Sequence, residues 1–232
     1  MPDPAFLGTV AQTGDGGYTG ALTETPSVVH TLSAGTNRII VGRVVVGRGG
    51  AGNVTATATY GGVAMTLVRD TEIVSSGAFH SWVFFLINPS GTGSKTYQVT
   101  FNGNYGTGGG QSVYYILQVD CVQYADQTTG YRNTGSGATG SGTAASTAVT
   151  TVAGDLVVDA LGTWDPGTEG AGQYERVADS NMSYEVATGT TTTMSWTISS
   201  NPWALTAVPI MPQAAAAASA ALVYIDIVAD FV

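Results

Sequence analysis

Charge is what this sequence has least of. Only 7 of its 232 residues are Lys or Arg and 16 are Asp or Glu, so charged residues make up 10%, against about 25% in an ordinary globular domain. Lys95 is the single lysine and the arginines are scattered. A phosphate backbone is held by clustered Lys and Arg that release its counterions, so nucleic-acid binding is excluded as an expectation. The net charge of -9 favours solubility and repels anionic surfaces.

Cysteine is nearly absent. Cys121 is alone, which rules out an internal disulfide and any cysteine-based metal centre, and its strand setting predicts a small buried side chain. Only two histidines occur, His30 and His80, without His-x-x-x-His spacing. No zinc site, no other metal and no cofactor is therefore expected. No G-x-S-x-G elbow is present to seat a nucleophile beside a base, and His80 reads as a strand-edge residue. No long uncharged apolar run predicts a membrane helix. Met1-Pro2-Asp3-Pro4 lacks the basic and apolar regions of a secretory signal, so a signal was either removed or never used.

What fills the chain instead is Gly, Thr, Ser and Ala in a period of two. Val54, Ala56, Ala58 and Tyr60 alternate with Thr55, Thr57 and Thr59. Tyr97, Val99 and Phe101 alternate with Thr96, Gln98 and Thr100, and Met194, Trp196 and Ile198 with Thr193, Ser195 and Thr197. Such alternation is that of a strand with one wet face, here furnished by β-branched Thr. Residues 39–46 and 82–87 are apolar on both faces and read as central strands covered on both sides. Turn chemistry separates the runs, as at Tyr60-Gly61-Gly62, Asn88-Pro89-Ser90-Gly91 and Ala153-Gly154-Asp155. About a dozen short strands predict an all-β sandwich or barrel.

Two glycine patterns imitate nucleotide loops. Gly47-Arg48-Gly49-Gly50-Ala51-Gly52 matches G-x-G-x-x-G, but a strand rather than a helix follows, so no pyrophosphate would meet a helix N-terminus. It reads as a hairpin loop, as does Gly106 to Gly110. Gly91 to Thr96 lacks the Gly before Lys95 that a phosphate loop needs. Residues 134–146 are low-complexity Gly/Ser/Thr/Ala and read as a long loop within one domain, with residues 156–161 after it as a partner for earlier strands.

Carboxylates and aromatics gather in one later segment. Asp165, Glu169, Glu175 and Asp179 lie in or beside a Gly-rich loop flanked by Trp164 and Tyr174. Carboxylates about 5–10 Å apart could hydrolyse a glycosidic bond, but a solvated loop accounts for them more simply, and no catalytic residue is assigned. Trp164, Asp165, Glu169 and Tyr174 are the candidate ligand loop, where exposed rings could stack on a sugar. Asn53-Val54-Thr55 and Asn181-Met182-Ser183 match the glycosylation pattern and read as chance. The end of the chain differs from the rest. Ala214 to Ala218 leads to Leu222 to Val232, where Val223, Ile225, Ile227, Ala229 and Phe231 share one apolar strand face. Val223, Ile225, Ile227 and Phe231 are candidate interface residues, in a strand that belongs to the domain itself or pairs with a neighbouring subunit.

One resemblance rests on an ordered series. Tyr60-Gly61-Gly62-Val63-Ala64-Met65-Thr66-Leu67-Val68 is followed by residues 82–87, Asn88-Pro89 and Gly93 to Phe101. Gly154-Asp155-Leu156-Val157-Val158-Asp159, Met194 to Ile198 and Trp203 to Ile210 come later. The series resembles a widespread β-sandwich family of bacteriophage structural proteins and bacterial surface or extracellular proteins. It spans about residues 38–212 and leaves the segment from Ala214 outside the pattern. The resemblance implies a jelly-roll-like antiparallel β-sandwich with extended terminal segments. The divisions expected are 1–37 as an N-terminal arm or peripheral strand, 38–212 as the sandwich and 213–232 as an Ala linker and strand. It also implies a virion structural protein, foremost a capsid decoration protein or a head or tail fibre component. Such a protein assembles in the host cytoplasm, binds capsid or other virion proteins through its termini, and is a homo-oligomer, with a trimer among the states that fit. The alternative is a carbohydrate-binding or adhesive module of a bacterial surface or extracellular protein. Neither nucleic acid nor membrane is an expected partner.

Overall fold

The computed structural model describes residues 2–18, 25–47, 54–73, 79–103 and 113–214. Among them every regular element is a strand. Residues up to 123 form β1 (Ala5–Phe6), β2 (Ala11–Tyr18), β3 (Ser27–Leu32), β4 (Ile39–Gly47), β5 (Val54–Tyr60), β6 (Val63–Ala64), β7 (Thr66–Ile73), β8 (Phe79–Ile87), β9 (Gly93–Gly103) and β10 (Val113–Gln123). The rest forms β11 (Ser136–Thr150), β12 (Leu156–Gly162), β13 (Thr168–Glu169), β14 (Tyr174–Glu175), β15 (Ser183–Val186) and β16 (Thr191–Ile210). All pairings are antiparallel.

The result is the all-β, antiparallel sandwich expected, with a third sheet added. The central sheet runs β1-β10-β4-β8-β7, with β2 also on β10. An outer sheet runs β3-β9-β5-β6, and the third runs β11-β16-β12-β15-β14 with β13 on β16. Side-chain alternation explains the stacking. On one face of the central sheet, Ile40, Val44, Trp82, Phe84, Leu117 and Val119 pack against Ala56, Ala58, Tyr97, Val99 and Phe101 of the outer sheet. On the other face, Ile39, Val41, Val83, Phe85 and Val122 pack against Leu156, Val158, Val208 and Ile210 of the third sheet. Strand β4 is buried along its whole length, as a strand covered on both faces must be. Gly42 belongs to this contact, since a Cβ there would lie 2.6 Å from the Tyr97 ring.

The third sheet folds over on itself. Strand β16 is 20 residues long, and its Met194 and Ala207 meet in one apolar cluster with Val149, Val157 and Ala187. Trp196, Ile198, Trp203 and Leu205 meet likewise around Leu161. The β11–β16 ribbon bends where its register shifts between Gly142 and Ala144, opposite Asn201 and Pro202. Gly142 takes φ +120 there, and Pro is tolerated at such an irregularity.

Several sequence expectations change. Residues 136–146, read as loop, are the greater part of the long strand β11, held by β16. Residues 156–161 pair with the later strands β15 and β16 rather than with earlier ones. The strands on either side of the glycine-rich stretches 48–52 and 106–110 do not pair with each other, since β4 and β10 lie in the central sheet and β5 and β9 in the outer one, and the stretches themselves lie outside the described residues. Before residue 38, β1 and β2 pair with β10 and β3 pairs with β9. His80 is inside β8 and buried, stacked 3.6 Å from Trp82 and 3.2 Å from Asp70 Oδ2. Cys121 is buried in the first core, which pushes its thiol up to about 11.

Candidate functional site

The four candidate ligand-loop residues do not converge. Trp164 follows β12, where its ring meets Phe79 edge-on at 5.1 Å and Tyr114 at 5.8 Å, leaving it 40% exposed. The Tyr114 hydroxyl donates to the Thr163 carbonyl and fixes this corner. Exposed Asp165 accepts from Asn201 Nδ2 at 3.1 Å. Glu169 sits opposite Trp196 in the β13–β16 pairing. Tyr174 pairs with Tyr184, which lies level with Val158 on β12. Trp164 is thus roughly 20 Å further along the β12 direction, at ~3.3 Å per residue.

The Glu175 carboxylate is engaged rather than poised. Glu175 accepts from the backbone N–H groups of Asp179, Ser180 and Asn181 and from Ser180 Oγ. It thereby holds a turn in which Asp179 and Asn181 take positive φ. Burial raises its carboxyl, and Glu169 adds to the shift. Asn181 is buried and accepts from the Gly167 N–H, so its glycosylation pattern is unusable in the folded chain. Among the described residues, no group of three or more His, Cys, Asp or Glu could hold a metal ion.

An open cleft of about 340 Å³ lies where β14 stops short of the end of β15. Gly172, Tyr174, Tyr184, Glu185, Val186 and Thr188 line it. Tyr174 is 61% exposed, its ring 5.8 Å from that of Tyr184 at an interplanar angle of 37°. Tyr184 is buttressed from behind by Phe6, edge-on at 4.8 Å, and Phe6 in turn lies 4.5 Å beneath the Arg176 guanidinium. Glu185 brings a carboxylate to the Gly172 rim, and partial burial raises its carboxyl. Val186, 43% exposed, completes an apolar floor. The volume lies in the range of small-molecule clefts, and two amphipathic rings beside one acceptor suit a neutral, hydroxyl-rich ring. Tyr174 was legible as a candidate. Tyr184 and Glu185 were not, although residues 183–186 carry the polar/apolar alternation of a strand.

Behind the cleft runs a buried polar seam that holds the third sheet to the central one. Arg43 Nη2 donates to Asp120 Oδ2 at 2.8 Å, and its Nη1 donates to the Asp159 and Ser183 carbonyls. Arg176 donates to the other Asp120 oxygen at 3.1 Å and to the Gly8 carbonyl. Asp159 receives Ser183 N–H and Oγ on one oxygen and Trp196 Nε1 on the other. Burial outweighs these donors and pushes its carboxyl up to about 6 from an ordinary 3.8. The folded state therefore holds this proton more tightly than the unfolded chain. The stability this contributes is fully present below about pH 4 and is lost as pH rises through about 6. The difference in unfolding free energy between the parent and Asp159→Asn is expected to slope over that interval and be flat above it. Urea melts at half-unit pH steps check this, and a flat difference from pH 4 to 6 would contradict it.

The expected interface residues Val223, Ile225, Ile227 and Phe231 lie outside the described residues. No protein-family model, no curated protein and no solved structure matches this chain.

Proposed function

We propose that the chain is a structural, non-catalytic adhesion module that binds saccharide in the Tyr174–Tyr184–Glu185 cleft. The observation that carries this reading is the exposed Tyr174 ring set against Tyr184, with the Glu185 carboxylate at the rim of an open cleft of about 340 Å³. Tyr supplies contact area at little entropic cost, since its ring has few rotatable bonds. A pyranose face would lie on the rings, and a ring hydroxyl would donate to Glu185. The β12–β15 and β14–β15 pairings set the backbone of Tyr184 and Tyr174 side by side without ligand, which lowers the cost of bringing the rings together on binding.

A glycan array followed by titration calorimetry on the best ligand tests it. Tyr174→Ala is expected to weaken binding at least tenfold, about 1.4 kcal/mol, with an unchanged melting temperature because the ring is mostly exposed. Trp164→Ala, at the far corner, is expected to leave affinity unchanged. Silence across a broad array, or equal affinity for Tyr174→Ala and the parent, would end the proposal.

A second reading, a virion structural protein such as a capsid decoration protein or a head or tail fibre component, is compatible with the first. It is favoured by the scarcity of charge together with the hydroxyl-rich wet face of the outer sheet, where Thr55 and Thr57 are exposed. Such a surface tolerates close packing against neighbours without many ions to desolvate. On that reading the module is displayed on a particle, and the cleft faces outward to a host glycan. Co-sedimentation with particles lacking this chain tests it, and absence of binding would remove it.

A further inference from the structure

We propose that β11 is a dimerisation edge, pairing antiparallel with β11 of a second copy about a two-fold axis near Thr147. The proposal does not depend on saccharide binding. Strand β11 ends the order of the third sheet, and among the described residues only β16 pairs with it. It is 15 residues long, where a typical strand has about 5–6. An edge of that length offers a row of unpaired N–H and C=O groups, which proteins ordinarily blunt with charge, Pro, bulges or shortness.

Several other edges show that protection. Strand β7 carries Arg69, Asp70 and Glu72 and a register irregularity between Leu67 and Arg69. Strands β1, β6 and β14 have two residues each. Strand β11 has one irregularity, at its bend between Gly142 and Ala144, and past it residues 144–150 form an unbroken edge of Ala, Ser, Thr and one Val, without charge or Pro.

That composition selects a second copy as the occupant. A two-fold axis through an antiparallel strand pair sets each strand against its own sequence. Any cluster of one charge near the axis would then meet the same charge. In a chain of net charge -9, an edge that approaches its own copy must lack a cluster of one charge near the axis, as β11 does. The half after the bend fixes the register. Ala145, Thr147 and Val149 are buried on its inner face, while Ala144, Ser146, Ala148 and Thr150 are exposed. A one-residue slip would turn the inner set outward. With the axis at Thr147, Ala145 faces the partner's Val149, and Ser146 faces the partner's Ala148 on the wet side.

Sedimentation equilibrium of the full chain and two variants tests the pairing. The parent is expected to dimerise. The double variant S146K/A148K places lysine against lysine and is expected to weaken dimerisation at least tenfold. In S146K/A148D each lysine meets the partner's aspartate, and dimerisation is expected to return. Thermal melts of both variants confirm that they fold, which exposed positions should allow. A monomeric parent, a dimer indifferent to S146K/A148K, or S146K/A148D as weak as S146K/A148K would each overturn the proposal.

Discussion

Arg43→Ala is expected to cost about 3–5 kcal/mol of folding stability, measured by urea unfolding at pH 7. The side chain is fully buried between the central and third sheets. Its removal strips one partner from buried Asp120 and leaves the Asp159 and Ser183 carbonyls without their guanidinium donor. Arg176 stays on the other Asp120 oxygen, but it is partly exposed and its reach is shared with the Gly8 carbonyl. Breaking a buried pair costs far more than replacing it, because one charge stays behind. The double variant Arg43→Met with Asp120→Leu is therefore expected to recover most of the loss. A cost below 1 kcal/mol for Arg43→Ala would mean that water or Arg176 already satisfies Asp120.

Trp196→Ala is expected to cost a similar amount, about 3–5 kcal/mol. The ring is buried with Leu161, Trp203 and Leu205, so it clasps the two halves of the folded-over ribbon. Its indole N–H also donates to Asp159 Oδ2 at 2.7 Å. Trp196→Phe separates the two roles. It keeps most of the bulk and loses the donor, which is expected to cost about 1–3 kcal/mol. It should also raise the Asp159 carboxyl further, extending the pH-sensitive interval upward. Equal losses for Phe and Ala would show that packing contributes nothing beyond the hydrogen bond.

Much of the fold was legible because β5, β9 and the first half of β16 each carry their own two-residue alternation, and the buried residues follow it. The doubly apolar runs at β4 and β8 likewise marked the covered sheet. Strand β11 escaped because Gly, Ser, Ala and Thr give little contrast between faces, and what makes it a strand is a distant partner, β16. The strands flanking the glycine-rich stretches were expected to pair for a related reason: local turn chemistry does not say whether the next strand stays in the same sheet. The site was half legible. Aromatics and carboxylates between residues 164 and 175 pointed to the right segment, but the Glu175 carboxylate is spent on a turn and Glu169 lies in a different strand pair. Tyr174 gains its meaning from Tyr184, which lies beyond the turn that Glu175 holds.

The division of the sheets along the chain has a consequence in time. Everything in the central and outer sheets comes from residues before 124, and the third sheet comes wholly from those after 135. During synthesis the first two layers can close around Trp82 and Phe101 while the second face of the central sheet, with Ile39, Val41, Val83 and Phe85, is still uncovered. That face remains a sticky apolar surface until β12 and the last residues of β16 leave the ribosome, and β16 is the last strand described. The nascent chain is thus most exposed to aggregation late in its synthesis, when most of its length has already folded.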